Sequence, residues 1–550
     1  MQHRAKGILI KSLKIIGWFA VSFISILLIL IAVIQIPAVQ DRITERAVNF
    51  LEKEIGTEVS LDRLYISFPK NIVLENLYLE DESADTLLYA GRLNVNTDLW
   101  ALIRKEIQLN KVELENATAF IKRAEHDTLF NYSYILKAFA GDSTAVPDTL
   151  EQKGWNFTLN TLEIKNLTAH YDDKLTGNNL DVGLGLLELS MDVFDLNQYR
   201  FSLDDFLLED TRAILVQTKL PEVTVEVAEE STDTLTFDVN FNELELENVV
   251  AVYKQEALGQ ELAANIGKTL FEANKIDLTN KSIDLRAIEL ESTTFSFHQK
   301  KPARSAAGSS SSQGAETVRQ GQAPPRQSPG WKINVDEISL ADNSIQFHDL
   351  TKPALKERFD PDHLGLTKID LEAHGVYWSD EEMGLNIDEF SFSDENGFNL
   401  ESLHAAIKVS GDSAAISDFS METGNSRLHV QASAVYDSFS DLAENVADIR
   451  VRANIDQSHV GVEDILYFLP ALRDSLPVNL NPSMRVFLDA GISGTVNNIL
   501  LHHFNMNALS DTHLNASGTL VGLPDLTNIN LNLSLDKFYT TRSDMLAILP

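Results

Sequence analysis

The sequence predicts a mainly β chain: one N-terminal transmembrane helix, then a long antiparallel β-sheet accompanied by a few short helices. Three observations predict it. A single apolar run near the N-terminus is long enough to cross a bilayer, strand-like alternation begins after a short amphipathic stretch, and a 19-residue strand pattern then recurs along the chain.

Composition narrows the function classes first. The 550 residues carry Lys+Arg 45 against Asp+Glu 81, a formal net charge of −36. So acidic a chain lacks the basic face that neutralises phosphates, which argues against nucleic acid as a partner. Hydrophobic residues at 44% and charged residues at 23% are globular values, so the body can bury a core. The absence of cysteine removes thiol catalysis, disulfides, thiolate-bound zinc and iron–sulfur clusters together.

Residues 1–14 form a basic flank, with Arg4, Lys6, Lys11 and Lys14 and no acid. From Ile15 to Ile36 run 22 residues without a charge, among them Trp18, Phe19, Phe23, Leu27 and Leu30. At helical rise this matches the ~30 Å hydrocarbon core of a bilayer. A cleaved signal has a shorter apolar region and ends at a small-residue site, whereas this run ends in Gln35-Ile36-Pro37. A retained single-pass anchor is the expectation, and the positive-inside rule puts the N-terminus in the cytoplasm.

Over residues 37–56, the spacing Val39, Ile43, Ala47, Phe50, Leu51, Ile55 predicts an amphipathic helix, with Pro37 in its first turn and Gly56 at its end. It lies at a membrane surface, plugs the end of the next domain, or packs on its own sheet.

Residues 57–299 then read as repeated β-hairpins. The best copies of the 19-residue pattern open at Lys105, Trp155, Phe237, Lys281 and Trp331, with weaker ones at Thr57, Lys70 and Met383. Positions three, five, eight and ten are apolar, and position twelve is Asn116, Asn166, Asn248, Ser292 or Asp342. Between positions five and eight the alternation slips by one residue, which predicts a bulge or a break there. Position twelve suits a turn with left-handed backbone, so each copy reads as a hairpin whose second strand carries Ile121, Tyr171, Tyr253 or Phe347. One face is apolar, and the acidic face keeps a long sheet soluble. The apolar face must pack as a sandwich, close as a barrel or line a trough. Its candidate residues are Ile107, Leu109, Leu114, Phe157, Leu159, Ile164, Val239, Phe241, Leu246, Ile283, Leu285, Leu290, Ile333, Val335 and Leu340.

Residues 300–330 are Ser/Gly/Pro-rich and predict a disordered loop, with a shorter one over 141–154. Residues 331–550 continue the sheet, and the alternation still running through Ile529, Leu531, Leu533 and Leu535 suggests that the domain extends further. Helical spacing appears at Val462, Ile465, Leu466, Leu469 and at Leu258, Leu262, Ile266, Leu270. No nucleotide, hydrolase or zinc-protease motif is present, so no enzyme and no cofactor are expected. Asp360, Asp362 and His363 read as a turn rather than metal ligands. His502 and His503, adjacent on a strand, should face opposite sides. His170, His298 and His348 recur near one position of the pattern, one per copy.

The lysine-flanked anchor, the Pro-initiated helix, the Gly-Thr-Glu-Val-Ser-Leu strand opening at Gly56, Pro69 with Ile72/Leu74/Leu77/Leu79, and the recurrent L-x-L-x-N units together resemble the AsmA-like superfamily, and within it the TamB-type translocation and assembly module proteins. The resemblance implies an inner-membrane protein whose bulk lies in the periplasm as a curled, taco-like β-groove. It implies phospholipid as cargo, conducted between inner and outer membranes in support of outer-membrane biogenesis, and an Omp85-type outer-membrane partner. The alternative is a scaffold that templates outer-membrane or secreted β-proteins by strand addition. A membrane-tethered sandwich with a closed core is the third reading.

Overall fold

The computed structural model describes residues 35–67, 71–97, 106–140, 156–195, 200–220, 238–278, 280–301, 330–475, 480–525 and 528–549, together with seven scattered positions before residue 35. Of the expected anchor, Ile15, Phe19, Phe23, Leu27 and Leu30 lie outside the described residues, while Trp18 and Ile36 are exposed. Among the described residues no helix is long and apolar enough to cross a membrane. Both expected loops, 141–154 and all but the ends of 300–330, also lie outside them. The chain is mainly β and divides into two compact units, residues 1–203 with 207–221 and residues 204–206 with 222–550.

The first unit opens with helix α1 (Pro37–Ile55), begun by Pro37 and closed by Gly56 at φ 79, whose N–H donates to the Glu52 carbonyl at 2.9 Å. Its strands are β1 (Val59–Ser60), β2 (Arg63–Ser67), β3 (Asn71–Glu80), β4 (Thr86–Thr97), β5 (Glu106–Arg123), β6 (Asn156–Asp173), β7 (Asn178–Asp195) and β8 (Arg200–Gln217), with helix α2 (Ser133–Ala140) between β5 and β6. Helix α1 packs against its own sheet. Val48, Leu51 and Ile55 join Leu61, Leu77, Ala90 and Ala117 in one apolar cluster, to which α2 adds Tyr134, Ile135 and Ala138. Thr44 pins α1 to β2, its hydroxyl accepting from the Leu64 N–H at 2.8 Å.

The second unit holds β9 (Asp238–Asn240), β10 (Glu243–Gln255), β11 (Gln260–Asp277), β12 (Ser282–Glu291), β13 (Thr294–Gln299), β14 (Lys332–Asp349), β15 (His363–Trp378), β16 (Glu382–Asp394), β17 (Asn399–Ser410), β18 (Ser413–Thr423), β19 (Arg427–Val435), β20 (Arg450–Gly461), β21 (Arg485–Thr495), β22 (Asn498–Ala508), β23 (Thr512–Val521) and β24 (Asn530–Tyr539). Helix α3 (Val462–Phe468) follows β20 and α4 (Arg542–Ile548) follows β24. From β14 onward each strand pairs antiparallel with the next. The helix expected over Leu258–Leu270 is instead part of β11. A spacing of four is also a multiple of the strand period of two, and pairing with β10 on one side and β12 and β13 on the other decides the outcome.

The expected slip at position six is present. Arg286 is skipped where β12 pairs with β11, β9 and β10 break across Phe241 and Asn242, and the β5–β6 ladder skips Asn110 against Asn160. Position twelve is left-handed as expected, with φ of 54, 53, 53, 51 and 52 at Asn116, Asn166, Asn248, Ser292 and Asp342. It does not turn the chain into a hairpin. Strands β5, β6, β10 and β14 run straight through it, and β12 and β13 both follow β14, so each copy is one long strand with two irregularities.

Several of the left-handed residues line up across neighbouring strands and face a glycine on the strand between them. On β4, Gly91 lies opposite Asn76 and Asn116, and a Cβ there would sit 3.1 Å from that of Asn116. Gly185 on β7 would meet Asp210 at 2.6 Å, and Gly267 on β11 would meet the Glu291 carbonyl at 2.7 Å. Gly183, on the same strand as Gly185, has nothing within 4 Å of a Cβ built there.

Two joins are parallel, which corrects the wholly antiparallel expectation. Strand β5 pairs with β6, and β12 and β13 pair with β14, in each case residue i with residue i+50. A parallel join needs a crossover of a dozen residues or more, and these are the two places where the long loops supply one. A further correction concerns His502 and His503. Gly491 pairs with His503 and Ile492 with Leu501, which leaves His502 as the extra residue of a bulge. Both imidazoles therefore reach the polar face: His502 Nε2 lies 2.7 Å from the Ser493 hydroxyl and His503 Nε2 3.0 Å from Asp489.

Candidate functional site

Two slips per strand keep seven positions of each copy on one face. On β14 these are Ile333 and Val335, then Ile338 and Leu340, then Asn343, Ile345 and Phe347, because the skipped positions six and twelve each restore the parity. Their partners on β15 are Trp378, Val376, Ala373, Leu371, Ile369, Leu366 and Leu364. The in-register parallel joins put like upon like. Within the first unit Ile107 pairs with Phe157, Leu109 with Leu159 and Leu114 with Ile164. Within the second, Ile283 pairs with Ile333, Leu285 with Val335 and Leu290 with Leu340, while Leu246 of β10 and Leu290 of β12 flank Thr269 of β11. Phe241 is half-buried between β9 and β10. The side chains of Ile107, Phe157 and Val239 lie outside the described residues.

The face is covered unevenly. Leu114 packs against the helix-covered cluster of the first unit, so it serves a closed core at that end. Leu285 and Val335 are buried. Farther along β13 and β14, Phe295 is 44% exposed and Ile345 45%, and Phe297 and Phe347 stack 5.4 Å apart with no layer among the described residues that buries them. On β24, Leu531, Leu533, Leu535 and Phe538 all continue the face through their partners on β23, and all are exposed. Sequence reasoning named no wall residues on β15–β23, because bulges such as those between Thr367 and Asp370 or Ile416 and Phe419 scramble any fixed alternation, whereas the alternation of Leu531, Leu533 and Leu535 on β24 was legible.

The opposite face is held by charge. In the first unit Lys111 bridges Glu113 at 2.8 Å and Glu163 at 2.5 Å, with Lys165 also on Glu163. Lys111 is raised above the usual lysine range by its Glu113 and Glu163 hydrogen bonds. Burial pushes Glu163 up, but the Lys111 and Lys165 contacts outweigh it and hold the carboxyl low. At the strand ends Arg123 grips Asp173 with two hydrogen bonds while stacking over Phe130 at 4.4 Å, and Asp173 is held far below the carboxylate range by that guanidinium and by Thr176.

Asp360, expected in a turn with Asp362 and His363, is a loop organiser. Its carboxylate accepts from the backbone N–H of Leu355 at 2.7 Å and of Asp362 at 3.0 Å, and His363 sits 3.2 Å away. The recurring histidines become neighbours through the parallel join, His298 stacked on His348 at 5.5 Å, yet among the described residues no group of three or more ligand side chains could hold a metal ion. Helix α3 lies against the ends of β16–β19. Its Tyr467 donates to Asp394, and its Asp464 accepts from Thr423 at 2.6 Å and from Ser426. Burial, then the Asp394 bond, raises the Tyr467 hydroxyl well above its usual range. The chain matches no protein-family model, and no curated protein matches it.

Proposed function

We propose that this protein conducts phospholipids along the apolar face of its sheet, as an inner-membrane-anchored, periplasmic groove between inner and outer membranes that supports outer-membrane biogenesis. The observation that carries the reading is the mainly apolar ladder of the second unit, which is half exposed at Phe295, Ile345 and Phe347. A dry core would bury such residues, whereas a wall for acyl chains leaves them uncovered until a lipid arrives. Two acyl chains carry about 30 methylenes, so at about 0.8 kcal/mol each roughly 24 kcal/mol opposes their exposure to water. A greasy wall removes most of that barrier without chemistry or a cofactor, and the charged opposite face keeps the sheet in solution. The taco-like groove, the single-pass anchor and an Omp85-type partner belong to this proposal through the resemblance to AsmA-like proteins.

The test is lipid mass spectrometry on the chain from residue 38 onward, purified without detergent. About one phospholipid or more per chain supports the groove. A folded, lipid-free protein overturns it and moves attention to strand addition, for which unfolded outer-membrane β-proteins are the probe.

A further inference from the structure

A concavity of about 710 Å³ opens on the polar face of the second unit, across β18–β22. Its floor is the backbone of Ile416, Ala432, Ala453 and Ile492, cross-strand partners whose side chains point to the apolar side. Its walls are the residues beside them, chiefly Gln431, Ser433, Arg452, Asn454, His502 and His503. No acidic residue lines it, in a chain with 81 acids to 45 bases.

The groups are arranged for a ligand. Arg452 and Gln431 have no ion-pair or hydrogen-bond partner among the described residues. The nearby carboxylates are held by the wall residues and their neighbours: Asp456 takes the Asn454 amide at 3.2 Å, and Asp489 takes His503 at 3.0 Å and the Asn505 amide at 3.3 Å. Those contacts, with Ser493 on His502, orient both imidazoles, and the bulge at His502 is what brings the two rings to the same side. The space for the His503 ring exists because residue 491 is glycine, where a Cβ would stand 2.6 Å from His503 Cε1.

We propose that this concavity binds an oxyanion, with a phosphate group on a small polar molecule as the fitting class. Arg452 supplies the planar charged fork, the Gln431 amide and the second N–H of the Asn454 amide supply further donors, the two imidazoles shape the wall beside them, and the volume admits a sugar-sized body beside the phosphate. The site lies on the face opposite the apolar ladder, so it stands independently of lipid conduction.

The test is equilibrium dialysis of the full chain in mild detergent against radiolabelled inorganic phosphate at fixed pH and ionic strength. Saturable binding of about one phosphate per chain is expected. Arg452→Gln should weaken it about tenfold, the value of one charge-assisted contact. Arg450→Gln, on the same strand but outside the concavity, should not. Gly491→Ala, which displaces the His503 ring, is the second variant and should also weaken binding, and urea midpoints confirm that each variant is folded. Displacement by glycerol 3-phosphate alone assigns a soluble ligand, and displacement by micellar phosphatidylglycerol as well assigns a headgroup; either supports the site. Absence of saturable binding, or equal loss in Arg452→Gln and Arg450→Gln, overturns it.

Discussion

Phe295 offers the sharpest test of an acyl-binding wall. It lies on β13 between Ala264 of β11 and Ile345 of β14, with 44% of its surface exposed. A phenylalanine presents about 200 Å², so roughly 90 Å² remains for an acyl chain to cover. At about 25 cal/mol per Å² that contact is worth ~2 kcal/mol, a factor of about thirty in lipid affinity. Phe295→Asp removes it and sets a carboxylate against the chain, whose desolvation adds to the loss. The buried part of the ring is lost from protein packing too, which costs the fold about 3 kcal/mol. Phe295→Ala loses the same packing and leaves the face uncharged, so it separates the two effects. Ser296→Asp places the same charge one residue along, on the polar face between Ala263 and Gln346.

The assay is equilibrium uptake of a fluorescent phospholipid by the purified chain, with urea midpoints measured in parallel. Uptake should fall by up to about thirtyfold in Phe295→Ala, by more than that in Phe295→Asp, and not measurably in Ser296→Asp. Wild-type uptake by a folded Phe295→Asp variant, or equal loss in Ser296→Asp, refutes the reasoning.

Three further outcomes follow from the fold. Gly185→Ala should lower the urea-derived stability by about 1–3 kcal/mol, since its Cβ would meet Asp210 at 2.6 Å, whereas Gly183→Ala on the same strand should change it by less than about 0.5 kcal/mol. Tyr467→Phe should cost about 1–3 kcal/mol in the same measurement, because it leaves the buried Asp394 carboxylate, one oxygen of which already lacks a partner, without its donor. Asp173 has a folded pKa held below its unfolded one, so its stabilisation is complete above the ordinary carboxylate range and is lost as the pH falls through and below it; urea midpoints of Asp173→Asn should lack that part of the acid-induced decline.

How far the sequence carried the fold can be read from single residues. The strands of the second unit were legible because Ile333, Val335, Ile338 and Leu340 alternate with polar neighbours, and the slip between Val335 and Ile338 demanded the irregularity that the ladder shows at Asp336. The left-handed backbone of Asn116 was legible from residue type, but whether such a residue turns the chain or only kinks it depends on Gly91 on the next strand, a contact that no local rule reads. The parallel joins had a signal that went unused: the copies opening at Lys105 and Trp155, and at Lys281 and Trp331, are 50 residues apart in both cases, with a long loop in each interval. The candidate wall was legible in its repeat strands and illegible over β15–β23, where bulges move the apolar set from one parity to the other. His502 and His503 failed for the same reason, since adjacency implies opposite faces only on an unbroken strand.

The same irregularities bear on why a sheet with a half-open apolar face holds together. A two-layer protein fixes register by interdigitating side chains across the layers, but near Phe295 and Ile345 none of the described residues forms a second layer to do so. Register there must come from within the sheet, where a slip by one residue would carry every apolar side chain to the acidic side. Each left-handed residue facing a glycine is a lock against such a slip, because moving Gly267 off Ser292 would bring a side chain into a gap of less than 3 Å. The locks recur from strand to strand at position twelve, and the Asn166 amide donates to Asn116 at 3.2 Å along the same line. A sheet that sets its register through its own backbone can leave one face free for cargo, and this links the recurring Asn, Ser or Asp of the sequence to the uncovered apolar ladder.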